Sequence, residues 1–148
     1  MVEPMGSASP LPPASQPVEV RLTAILAAIG AWTIVVPYLG KALDLAVRVP
    51  ARVEFVDHVV PGAIVVATGL YLTVLARRRT LTGDRFALLA SGLAFLAGFW
   101  VLSTHAPLIA DAARSDQQPW DAAIWHSIAA VPIVALALWC VLRATREP

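Results

Sequence analysis

Four apolar runs, each long enough to cross a lipid bilayer, leave this chain few ways to fold. They extend from Leu22 to about Leu39, from about Phe55 to Ala76, from Phe86 to about Ser103 and from about Asp121 to Leu142. Each run holds about 18 to 22 residues. At 1.5 Å rise per residue, such a helix traverses a hydrocarbon layer roughly 30 Å thick. Lipid offers no partner to peptide N–H and C=O groups, so the runs are read as helices. Composition agrees, because 58% of the 148 residues are apolar and only 14% are charged, too few to cover a water-soluble domain. The expected fold is all-α, a four-transmembrane-helix bundle in a lipid bilayer.

Charge sets an orientation and excludes one class of partner. A net charge of +1 provides no concentrated basic face for nucleic acid. Arg21, Arg77, Arg78, Arg79, Arg85, Arg143 and Arg146 fall on one side of the four runs, with Glu3, Glu19, Asp84 and Glu147. The other side carries Lys41, Arg48, Arg52 and Arg114 against Glu54, Asp44, Asp57, Asp111, Asp116 and Asp121. Cations are retained on the cytoplasmic side, so both termini and the Arg77–Arg85 loop are expected there, with loops of about 40–54 and 104–120 facing outward. Residues 1–20 are rich in proline, serine and alanine, and read as a disordered cytoplasmic tail. They lack a basic stretch and a small-residue cleavage site, so a signal peptide is not expected. Cys140 has no partner cysteine in the chain, which excludes an internal disulfide and a thiolate metal site.

Helix contacts are also legible. Ala90, Ala94 and Gly98 recur at four-residue spacing on the third run, and Gly62 and Gly69 lie two turns apart on the second. Small residues at such spacing let helix backbones approach closely in lipid. Pro37, Pro61 and Pro132 are expected to kink or end their helices.

Displacing the chain by 68 residues superposes Gly30 on Gly98, Trp32 on Trp100, His58 on His126 and Arg78 on Arg146. Tryptophan and histidine are rare here, so their coincidence at one offset points to a duplicated helical hairpin, residues 21–79 and 80–148. Each copy has an even number of spans, so the copies share one orientation, related by a pseudo-twofold axis along the membrane normal. The first hairpin, with Gly30-Ala31-Trp32, Val36-Pro37-Tyr38-Leu39-Gly40 and Asp57-His58-Val59-Val60-Pro61-Gly62, resembles the SPW repeat family. Only Pro37 of that family's Ser-Pro-Trp tripeptide is present, with Val36 and Tyr38 beside it, and the second copy reads Thr104-His105-Ala106. The resemblance implies paired two-helix units in a bacterial cytoplasmic membrane and no particular activity.

The chemistry-bearing residues gather near the outward helix ends. His58, His105 and His126 lie there with Glu54, Asp57, Asp111, Asp121, Trp100, Trp120 and Trp125. Glu54 and His58, four residues apart, share one helical face. Three readings of this group compete. His58 and His126 would ligate a haem on the pseudo-twofold axis. Alternatively His58, His105, His126 and Glu54 would bind zinc, copper or iron. In the third, the histidines hydrogen-bond neighbouring carboxylates and loops at the interface, beside an aromatic belt of tryptophans. Asp57 and Asp121 stand at expected helix N-termini, where a carboxylate complements the dipole. No Ser–His–Asp spacing or glycine-rich phosphate loop appears. On sequence alone the chain reads as a non-enzymatic accessory or interaction module without a cofactor, working with a membrane-protein partner or as a homodimer. A haem or metal redox protein is the second reading, and a small transporter the third.

Overall fold

A computed structural model describes residues 17–43, 50–114 and 120–146, and the described part is all-helical. Its four long helices are α1 (Val18–Ala42), α2 (Ala51–Arg77), α3 (Arg85–Arg114) and α4 (Trp120–Ala144). All four are long and apolar enough to cross a membrane. Most of the expected tail, residues 1–16, lies outside the described residues, as do residues 44–49 and 115–119 of the expected outer loops.

Two boundaries differ from the sequence reading. The helix α1 starts at Val18, inside the stretch assigned to the tail, because the Pro17 carbonyl already accepts the Val20 and Arg21 amides. Glu19 in its first turn complements the helix dipole. The helix α3 continues to Arg114 through a stretch expected to be loop. Its buried stripe does not stop with the apolar run but goes on through Val101, His105 and Ala112.

The bundle is packed from small residues and turned outward with large ones. Along α3 the buried positions are mostly alanine, with Ala87, Ala90, Ala94 and Ala97 all inside, while Leu89, Leu93, Leu96 and Phe99 are exposed. That inversion suits a chain whose surroundings are apolar. Close approach follows at the glycines. A Cβ on Gly69 would stand 2.7 Å from the backbone nitrogen of Ala27, and one on Gly62 would stand 2.9 Å from the Gly30 carbonyl. At Gly98 it would meet Ile133 at 2.5 Å, joining α3 to α4. Buried hydroxyls are mostly satisfied within their own helices, as when Thr33 donates to the Ile29 carbonyl at 2.9 Å. Thr73 also bonds Thr23 at 3.0 Å, tying α2 to α1.

Prolines act differently in each helix. Pro37 lies inside α1, which continues to Ala42 and is not terminated. Pro61 follows a π-turn, Phe55–Val59, in which the Val60 amide reaches back to the Phe55 carbonyl. Pro61 has no N–H for the carbonyl four residues earlier and its ring crowds that carbonyl, and a widened turn relieves the crowding. Before Pro132, α4 breaks at Ile128 and Ala129.

Candidate metal centre

Two of the histidines sit at or just before these irregular places, and the third lies two residues before a proline inside an unbroken helix. His58 is in the π-turn of α2, His105 precedes Pro107 in α3, and His126 precedes the break in α4. Single π-turns recur at functional sites because the extra residue re-aims a side chain without ending the helix. Here the three rings converge. His58 is 1% exposed, His105 3% and His126 3%. One ligand nitrogen from each lies within 4.8 Å of the other two.

Hydrogen bonds fix part of the tautomer pattern. His105 Nδ1 lies 2.7 Å from the Val101 carbonyl, which can only accept, so Nδ1 carries the hydrogen. The Thr104 hydroxyl stands 2.9 Å from the same nitrogen. His105 Nε2 is thereby left with a free lone pair, 3.0 Å from His58 Nε2. The His58 and His126 rings meet edge to face with centroids 4.7 Å apart, and Nδ1 of each is buried without a hydrogen-bond partner among the described residues. The three rings lie inside the bundle and not at an exposed rim. His58 and His105 bond each other, His105 also bonds main chain, and all three rings pack together inside the bundle.

Carboxylates border the cluster at one side. A cavity of about 100 Å³ is lined by Glu54, Asp57, Thr104 and Leu108 together with all three histidines. Glu54 is 6% exposed and accepts the Lys41 ammonium on Oε2 at 2.6 Å, while its Oε1 is buried and has no partner among the described residues. Asp57 is not at a helix N-terminus, since α2 begins at Ala51; it accepts the Trp100 indole N–H at 3.2 Å. Asp121 does lie in the first turn of α4 and accepts the Ala122 amide at 2.9 Å. Trp125 packs edge to face on Trp32 at 5.3 Å between centroids.

The sequence therefore named every histidine of the cluster and its bordering Glu54. It missed Lys41, whose partner is thirteen residues away on the next helix. It also missed the π-turn, for which Pro61 shortly after Asp57-His58 is the only signal. Chemically, three imidazoles with converging ring nitrogens and a nearby carboxylate suit a borderline divalent cation, once His58 Nε2 gives up the hydrogen it shares with His105. No protein-family model, curated protein or solved structure matches this chain.

Proposed function

We propose that the chain is a multi-pass membrane protein whose function depends on one transition-metal ion, zinc or copper, held by His58, His105 and His126, with Glu54 balancing its charge. The observation that carries the reading is the convergence of three buried imidazoles from three different helices. His58 Nε2 and His105 Nε2 face each other at 3.0 Å, and a bound ion would take a lone pair from each. Tetrahedral zinc at 2.0–2.1 Å separates its nitrogens by about 3.3 Å, so His58 and His105 would part only slightly from their 3.0 Å. A haem on His58 and His126 fits less well. Two axial imidazoles around one iron place ring centroids roughly 6 Å apart. Here the centroids are 4.7 Å apart, and His105 contacts both rings. An accessory module with purely structural histidines is also less favoured, since interface histidines need not be buried together.

The finer topology belongs to the same proposal. Both termini would face the cytoplasm of a bacterial cell and the histidines the outer side, on the distribution of arginine. The duplication gains support from contacts related by the 68-residue offset. Gly30 meets Val65 as Gly98 meets Ile133, and Trp32 reaches Trp125 as Trp100 reaches Asp57. His105, however, corresponds to Pro37, so the third ligand belongs to one repeat alone. Kinship with the SPW repeat family remains part of this proposal on its hairpin residues, and a membrane-protein partner or second copy would receive whatever the centre does.

Metal analysis of detergent-purified protein, expressed with zinc or copper supplied, tests the reading. Near-stoichiometric metal that is lost in His58→Ala and His126→Ala is expected. Metal-free wild-type protein under both supplies would refute it.

A further inference from the structure

We infer that the Lys41 ammonium is a built-in competitor of the metal ion, holding Glu54 in the metal-free protein and releasing it as fourth ligand when the ion binds. This rests on the three-histidine reading above. Glu54 is bound through one oxygen only: Oε2 meets Lys41 Nζ at 2.6 Å, and Oε1 is buried with no partner among the described residues. The same carboxylate lines the cavity of about 100 Å³ that His58, His105 and His126 line. It is the one buried acidic side chain of that cavity; Asp57 is half-buried and accepts the Trp100 indole N–H.

Exposure decides which partner leaves. The Lys41 side chain is 52% exposed and the Glu54 side chain 8%. Lys41 can return its ammonium to water at little cost, so its half of the pair is cheap to break. Glu54 cannot follow it. A buried carboxylate without a cation is strongly unfavourable, and the arriving ion supplies that cation. Three neutral imidazoles bring no charge to a divalent ion in a low-dielectric setting, so an anionic fourth ligand is the natural complement, as in sites that combine histidine with glutamate. Lys41 thus stands where the ion's electrostatic role is already filled, and the two cations exclude each other. Lys41 closes α1 and Glu54 opens α2, so occupancy of the centre would uncouple these helix ends.

The test is a zinc titration against a chromogenic chelator, using full-length detergent-solubilised protein. Wild type is compared with Lys41→Met, Lys41→Arg, Glu54→Gln and the Lys41→Met/Glu54→Gln double variant. Losing an ion pair of this exposure tightens zinc roughly fivefold in Lys41→Met. The forked guanidinium of Lys41→Arg grips the carboxylate more firmly and weakens zinc. Glu54→Gln weakens zinc at least about tenfold, the scale of losing a group that orients or completes a metal site. In the Glu54→Gln background Lys41→Met then changes nothing. Equal tightening in both backgrounds would show a simple charge effect and overturn the exchange. Unchanged or weaker binding in Lys41→Met, with wild type binding zinc, would overturn the exchange and leave the metal centre standing. Failure of wild type to bind zinc or copper would overturn both. Lys41→Arg keeps the pair and so tests the exchange even if Lys41→Met does not fold: unchanged or tighter zinc binding there would overturn it.

Discussion

His105→Ala separates the two things this residue does. In the metal-free protein it removes the hydrogen bonds to the Val101 carbonyl at 2.7 Å and to His58 at 3.0 Å. His58 Nε2 loses its partner in a site that is almost fully buried, whereas the Val101 carbonyl keeps the Thr104 hydroxyl at 3.2 Å. One stranded buried group costs about 1–3 kcal/mol, and the cavity left by the ring adds to it, so a loss of about 2–4 kcal/mol is expected. With metal, a second effect arises. Zinc at a hundred times its dissociation constant stabilises a folded protein by about 2.7 kcal/mol. For a chain of this size that raises Tm by roughly 5–11 °C. Thermal unfolding in detergent, followed by tryptophan fluorescence with and without zinc, reads both. Wild type should show the full zinc shift, and His105→Ala should start lower and gain less than about 1 °C. A variant as stable as wild type without zinc would refute the buried hydrogen-bond argument. A variant with the full zinc shift would refute His105 as a ligand.

Three further outcomes test the frame around the site. Gly69→Ala pushes a Cβ to 2.7 Å from the Ala27 backbone and should lower stability by about 1–3 kcal/mol, whereas Gly92→Ala, with open space around it, should be neutral or stabilising in the same unfolding assay. Arg79 adopts a φ of 58° at the end of α2, so Arg79→Gly should raise stability by about 1 kcal/mol, read as a higher Tm. In a Cys140→Ala background, Ala51→Cys should react with a membrane-impermeant thiol reagent added to intact cells and Thr80→Cys should not; the reverse pattern would invert the topology.

What the sequence revealed and what it concealed divide along a physical line. Hydrophobic length depends on local composition alone, so all four helices were legible, down to the small residues that touch at Gly62, Gly69 and Gly98. The helix ends were less so. The stretch from Thr104 to Arg114 looks polar enough for a loop, but it keeps a buried stripe through His105 and Ala112 that only packing against the bundle makes decisive. The histidines were visible as a set because they lie at similar depth. Their mutual contact was not, since depth along an axis leaves the angle around it open. Spacing in one helix cannot report which face of another helix it meets. The pairing of Lys41 with Glu54 is of the same kind, a contact between the end of one helix and the start of the next.

The π-turn gives that angular argument a direct test. In an α-helix each residue advances about 100° around the axis, and a π-turn absorbs one extra residue within a turn without adding its rotation. Glu54 and His58 face inward across the turn Phe55–Val59, while Phe55 and Val56 are exposed. Deleting Val56 should close the turn to α geometry and, because the turn had absorbed one residue, leave the segments on either side of it in place. Glu54 and His58 would then be three residues apart and still on one helical face. The Lys41 pair should survive, and zinc affinity should stay near that of wild type while still requiring His58 and His126. A fall to the level of Glu54→Gln would mean that the turn aims the carboxylate at the centre. Complete loss of binding would mean that the turn positions His58 itself, and the two results are told apart by the same titration.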